Sequence, residues 1–208
     1  MAKYKDIVGT AVRNNAGNIP TAETGQVFFD STNVDFKYLF PTTIASWRTT
    51  SSLNTARYTA GGGIGTSSSE GLCHGGSLPP ATALTEDWNG STWTEVNDLN
   101  NARQIPSGHG VNTAGLSAGG YGTAEVAYTE SWNGSSWTEV NDLNTARYGM
   151  AAGGSSTAAL VAGGGAAPGT VVVSEQWDGS SWTEVADLNK ARRNMGGAGT
   201  TSAMVAYA

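Results

Sequence analysis

Carboxylates are the residues of this chain that could do chemistry, because they recur at fixed spacing. Glu86, Glu130 and Glu175 each stand two residues before a tryptophan. Glu95, Glu139 and Glu184 each follow a second tryptophan, and Asp98, Asp142 and Asp187 lie five residues before an arginine. Paired carboxylates could serve glycoside hydrolysis, one as acid and the other as base or nucleophile. That division of labour needs two environments that push the pKa values apart. A repeated sequence gives each copy much the same environment. The acids are therefore read as structural, with Asp98 and its repeats pairing with Arg103 and its repeats or bonding the turn between units. No catalytic residue is assigned, and an enzyme such as a glycan hydrolase is the least favoured class.

Arg57, Arg103, Arg147 and Arg192 recur as well. They could ring one mouth of a channel and hold an anion, a carboxylate or a sulfated sugar, or each could staple its unit to the next. Tyr121, set among small polar residues, would suit stacking against a sugar if exposed. His74 and His109 lack the Cys/His/Asp spacing of a metal site. His74 replaces Ala118, Ala162 and Ala206 at a repeated strand position and reads as an irregular packing or rim residue. There is no GxSxG, HExxH or P-loop, and Gly61-Gly-Gly-Ile-Gly65 reads as a turn. No metal or cofactor is expected. Cys73, the one cysteine, excludes an intrachain disulfide and reads as a buried, inert thiol.

The elements that must position these residues come from one repeat. The stretch W-N-G-S-[ST]-W-T-E-V-N-D-L-N-x-A-R begins at Trp88, Trp132 and Trp177. The first two copies agree at 14 of 16 positions and the third agrees with the second at 13 of 16. A period of 44 to 45 residues marks a repeat architecture. Residues 143–187 read as four strands: Tyr148 to Ala152, Thr157 to Ala162, Val171 to Trp177, and Trp182 to Val185. Asn89-Gly90, Asn133-Gly134 and Asp178-Gly179 mark the last hairpin. Four short strands per unit, with glycine pairs and tryptophans, predict an all-β propeller.

Leu72, Leu116, Leu160 and Met204 are 44 apart at every step. The opening strands occur four times, after Arg57, Arg103, Arg147 and Arg192. The closing strand occurs four times, at Trp47, Trp93, Trp137 and Trp182. The C-terminal residues supply only the first two strands of a last unit and residues 26–50 only the last two. Joined, they give four blades and leave no open sheet edge. The expected organisation is an arm over 1–25 and a propeller over 26–208, with closing strands in 26–52, blades at 53–98, 99–142 and 143–187, and opening strands in 188–208. A domain-swapped dimer sharing a larger ring, or trimerisation through 26–40, are the oligomeric alternatives.

Composition limits the partners. Charged residues are 13% of the chain and the net charge is −6, which argues against nucleic acid, since phosphate binding needs basic patches. No apolar run approaches a membrane span, and Met1-Ala-Lys-Tyr-Lys lacks the apolar run of a signal peptide behind it. Synthesis in a cytosol is expected. Residues 1–25 are too poor in large apolar side chains to form a core and read either as a disordered tail or as an arm that orders against a partner. The loops after the glycine pairs differ from unit to unit, and loops on a rigid scaffold carry recognition.

The double glycine, the two spaced aromatics and the arginine opening the next unit resemble Kelch-type propeller repeats over residues 27–208. The first aromatic here is tryptophan rather than tyrosine, and four units are fewer than the usual six or seven. The wording L-N-T-A-R-Y and W-N-G-S-S-W-T-E-V is similar to repeat proteins of tailed bacteriophages. Met1 to Ile7 and Gly25 to Tyr38 resemble segments of phage fibre and virion proteins. The resemblance implies a non-enzymatic virion protein, a decoration or fibre component, with other virion proteins as partners through the arm. Host surface glycans are the implied target, and a freestanding lectin is the alternative.

Overall fold

The computed structural model describes residues 13–15, 27–30, 35–38 and 50–208. The chain divides into two compact units, 1–49 and 50–208. In the first, β1 (Arg13–Asn15) runs parallel to β2 (Val27–Asp30), which pairs antiparallel with β3 (Asp35–Tyr38). The closing strand expected around Trp47 and most of the arm expected over 1–25 lie outside the described residues.

The second unit is all β. It contains three four-stranded antiparallel sheets, each running in chain order from an inner to an outer strand. The first is β4 (Gly61–Ile64), β5 (Gly71–His74), β6 (Thr85–Trp88) and β7 (Trp93–Val96). The second is β8 (Ser107–Val111), β9 (Ala114–Ala118), β10 (Thr129–Trp132) and β11 (Trp137–Val140). The third is β12 (Ala151–Gly154), β13 (Ala159–Ala162), β16 (Ser174–Trp177) and β17 (Trp182–Val185). It is interrupted by the two-residue pair β14 (Gly165–Ala166) and β15 (Gly169–Thr170). A two-stranded sheet, β18 (Gly196–Thr200) with β19 (Ala203–Tyr207), follows. Among the described residues there is no helix, hence none long and apolar enough to cross a membrane.

The outer hairpins form as the sequence predicts. Trp88 faces Trp93, Trp132 faces Trp137 and Trp177 faces Trp182, with ring centroids 5.3, 5.3 and 5.4 Å apart. Between them the side chain of Asn89, Asn133 or Asp178 accepts the backbone NH groups two and three residues on. The polar side chain thus replaces ladder bonds inside the four-residue loop. The inner strands begin later than expected. The third starts at Ala151 rather than Tyr148, because Gly149 sits at φ 62°. Its equivalents Thr59, Ile105 and Asn194 hold φ of 54°, 54° and 56°.

The core lies between sheets. Ile64, Leu72 and Leu99 pack with Trp132 and Trp137. One period later, Leu116, Leu143, Met150 and Val161 pack with Trp177 and Trp182. The second tryptophans of the second and third sheets also reach the sheet before their own: the indole NH of Trp137 donates to Thr85 Oγ1 and that of Trp182 to Thr129 Oγ1, both at 3.1 Å. A buried tryptophan here is worth roughly 3–5 kcal/mol against alanine. The inner strands neighbour one another in the order β4, β8, β12, β18. They come this close because most of their residues are Gly, Ala or Ser. At Gly108 a Cβ would stand 2.2 Å from the carbonyl oxygen of Gly62 in the neighbouring strand.

Candidate functional site

Three of the recurring arginines meet the recurring glutamates in a buried clasp, one in each four-stranded sheet. The segment entering each sheet crosses over that sheet's third strand. In the first unit, Glu86 accepts the amide of Asn54 at 2.7 Å, the amide of Thr55 at 3.4 Å and Nη1 of Arg57 at 2.5 Å. Glu130 accepts the amides of Asn100 at 2.7 Å and Asn101 at 3.3 Å and Nη1 of Arg103 at 2.6 Å. Glu175 accepts the amides of Asn144 at 2.7 Å and Thr145 at 3.2 Å and Nη2 of Arg147 at 3.0 Å. The six ion-pair side chains are 0 or 1% exposed.

Burial alone would push the Glu86 carboxyl up. The bonds from Arg57 and the two amides outweigh it, and the pKa lies below the ordinary carboxylate value. Burial lowers the guanidiniums of Arg103 and Arg147, opposed by the charges of Glu130 and Glu175 respectively.

The arginine main chain completes the staple. The carbonyl of Arg103 accepts the NH of Gly76, and that of Arg147 the NH of Gly120, each at 2.9 Å and each from the preceding sheet. The first glycine of each pair is needed there. At Gly75 (φ 62°) a Cβ would meet the Arg103 carbonyl oxygen at 2.4 Å. Each of these arginines is thus bonded to one sheet through its backbone and to the next through its side chain. Three of the four arginines considered for an anion-binding ring are committed to glutamates in this way, whereas Arg192 is exposed.

Asp98 does not take the arginine. Its Oδ1 accepts the NH of Thr85 at 3.0 Å, as Asp142 accepts that of Thr129 and Asp187 that of Ser174. Spacing along the chain suggested the aspartate five residues away. The fold brings in a glutamate 27 to 29 residues away. The available signal was a glutamate flanked by Thr or Ser and tryptophan in a strand with little other charge, a sign of a buried acid needing a cation.

The inner strands converge on a cavity of about 350 Å³ lined by Thr59, Ala60, Ile105, Pro106, Gly149, Met150, Asn194 and Met195. These are the second and third residues after each of the four arginines. A backbone chain runs round it: Ile105 NH donates to Thr59 O at 2.8 Å, Gly149 NH to Ile105 O at 3.4 Å, and Met195 NH to Gly149 O at 3.3 Å. At the rim stand Tyr58, Gln104 and Tyr148, whose backbones bridge to Ser77, Tyr121 and Gly165 at the start of the variable loops. Tyr121 is half-buried rather than freely exposed, because its ring packs edge-on against Tyr148 with centroids 5.4 Å apart. Tyr148 in turn carries Arg193, whose Nη1 donates to the phenol oxygen at 2.7 Å. Of the rim tyrosines Tyr58 is the open one, 56% exposed.

Both histidines are buried in the hub, the region where the inner strands β4, β8 and β12 lie side by side. The His74 ring lies 5.4 Å from that of Trp137, and neither of its nitrogens has a hydrogen-bond partner. Burial, then the charge of Arg103, drops its pKa to about 3. His109 is bonded through Nδ1 to Gly153 O at 3.0 Å, and burial drops its pKa to about 4. Cys73 is half-buried, with its thiol pKa raised by burial. Among the described residues no cluster of His, Cys, Asp or Glu could hold a metal. Compared with protein-family models and with curated protein sequences, the chain matches none.

Proposed function

We propose that this chain is a non-enzymatic attachment module on the virion of a tailed bacteriophage. It is a four-bladed, Kelch-like β-propeller whose N- and C-terminal strands share the last blade, and residues 1–25 anchor it to another virion protein. The observation that carries the reading is the division of labour between repeated and unrepeated residues. Six of the nine repeated acids, Glu86, Glu130, Glu175, Asp98, Asp142 and Asp187, are engaged in holding strands and crossover segments. The residues that differ between units line one cavity and its rim. A rigid frame with a variable face suits recognition, and many copies on one particle gain avidity from weak contacts.

The test is mass spectrometry of purified particles, counting this chain against the major capsid protein. Hundreds of copies would assign it to the head as decoration, and a few to a few tens would assign it to a fibre or tail tip. Absence from particles would refute the virion reading.

A second reading, a freestanding lectin, is favoured by the rim. Exposed Tyr58 and the edge-on pair Tyr121 and Tyr148 offer ring faces and edges beside the amide of Gln104, a combination suited to sugars. A glycan array probed with the purified full chain separates the two. Saturable binding lost in Tyr58→Ala supports the lectin, and binding only to particles lacking this protein supports the virion module.

A further inference from the structure

The fourth crossover segment is held like the second and third but has no glutamate from the repeat. Leu188 NH donates to Val172 O at 3.0 Å, as Leu99 does to Ala83 at 3.0 Å and Leu143 to Ala127 at 3.1 Å. The Arg192 carbonyl accepts Gly164 NH at 2.9 Å, the bond that Arg103 and Arg147 make with their own glycines. Fixed at both ends, the segment sets the backbone of Asn189, Lys190 and Arg192 in the places of Asn144, Thr145 and Arg147. With Leu188 and Ala206 these residues line a cavity of about 190 Å³. The sequence has no glutamate between Glu23 and Glu70. Its acids between those two are Asp30 and Asp35, each a methylene shorter than the glutamates the other clasps take.

We propose that Asn189, Lys190 and Arg192 form a carboxylate-binding site filled by a ligand from outside the chain. Two converging amides and a forked guanidinium match the two oxygens of a carboxylate, and the same donor set holds one in three places in this protein. Lys190 adds positive charge beside it, and Arg192 is open to solvent. The ligand class is a small organic acid or an acidic sugar, which share the group that is read. Because the clasp is exposed, affinity for the isolated group should fall in the millimolar range. This proposal stands apart from the virion and lectin readings, but it requires that closure of the last blade leave this clasp open to a ligand.

The experiment is amide NMR of the full chain titrated with glucuronate, with glutarate as an acid that is not a sugar and glucose as a sugar that is not an acid. Saturable shifts of the Asn189 and Lys190 amides are expected with both acids and not with glucose. Tighter binding of glucuronate than glutarate would make an acidic sugar the ligand, and equal binding a simple organic acid. Arg192→Gln should weaken binding about tenfold or more, and Arg192→Lys, which keeps the charge and loses the fork, should fall between. The other amides report whether each variant is folded. No shift at Asn189 and Lys190 with either acid, or shifts indifferent to Arg192→Gln, would overturn the site. Acid binding that tightens in Asp30→Asn or Asp35→Asn would overturn the external source, because the chain's own acid would then be the competitor.

Discussion

Val161 and Val205 occupy the same place in the repeat, 44 residues apart, and differ completely in surroundings. Val161 in β13 is 0% exposed and Val205 in β19 is 66% exposed. The same holds around the clasps: Arg103 and Arg147 are 0% exposed, whereas Arg192 is open. The local sequence is nearly constant, so burial here is conferred by the neighbouring strands. Three sheets have third and fourth strands laid against the second, and the β18–β19 pair has none among the described residues. Removing a glutamate is the strongest way to break the comparison. Glu130→Ala leaves Arg103 buried without its partner and should cost about 3–5 kcal/mol. Arg192→Ala, at the open clasp, should change stability by less than about 0.5 kcal/mol. Urea denaturation of both variants decides it, and equal losses would mean that the fourth segment is as buried as the others.

Much of the frame was legible because it repeats. The period, the four-strand units, the hairpins closed by Asn89, Asn133 and Asp178, and the tryptophan pairs could be read from spacing alone. The inter-unit stapling by arginine was legible as one of two alternatives. What was not legible was long-range pairing. Nothing local to Arg103 says that its partner is Glu130 rather than Asp98, since the choice depends on which strand the crossover segment passes. The half-burial of Tyr121 was not legible for a similar reason: it depends on Tyr148, which the fold brings from the next unit. The hub cavity lay at positions 59–60, 105–106, 149–150 and 194–195, where the repeat stops agreeing with itself.

The hub itself offers a second comparison. The first unit has His74 where the later ones have Ala118, Ala162 and Ala206. The ring fits because Gly61 and Gly108 lack side chains, whose Cβ atoms would stand 2.6 and 2.9 Å from it. With folded pKa values of about 3 for His74 and about 4 for His109, against about 6.5 unfolded, the unfolded chain binds more protons below pH 6.5. Stability is therefore intact above pH 6.5 and falls as pH drops toward 4, by about 1.4 kcal/mol per pH unit for each histidine. His74→Ala should remove about half of that slope between pH 6 and 4.5. A slope unchanged in the variant would mean that His74 titrates normally and is not enclosed by Gly61 and Gly108.

The smallest effect tests the valines directly. Replacing Val by Thr keeps the shape and β-branching and adds one hydroxyl, so it reads burial more than propensity. At Val161 the hydroxyl enters the cluster of Leu116, Trp177 and Trp182 and should cost about 1–3 kcal/mol for want of a partner. At Val205 it faces solvent and should be neutral within about 0.5 kcal/mol. Differential scanning calorimetry of the two variants reads the difference. A costly Val205→Thr would show that a strand covers β19 in solution, and the fourth unit would then share the environment of the other three. A neutral one would leave β19 with a free edge of backbone donors and acceptors, the kind of edge that recruits a further strand from whatever chain can supply it.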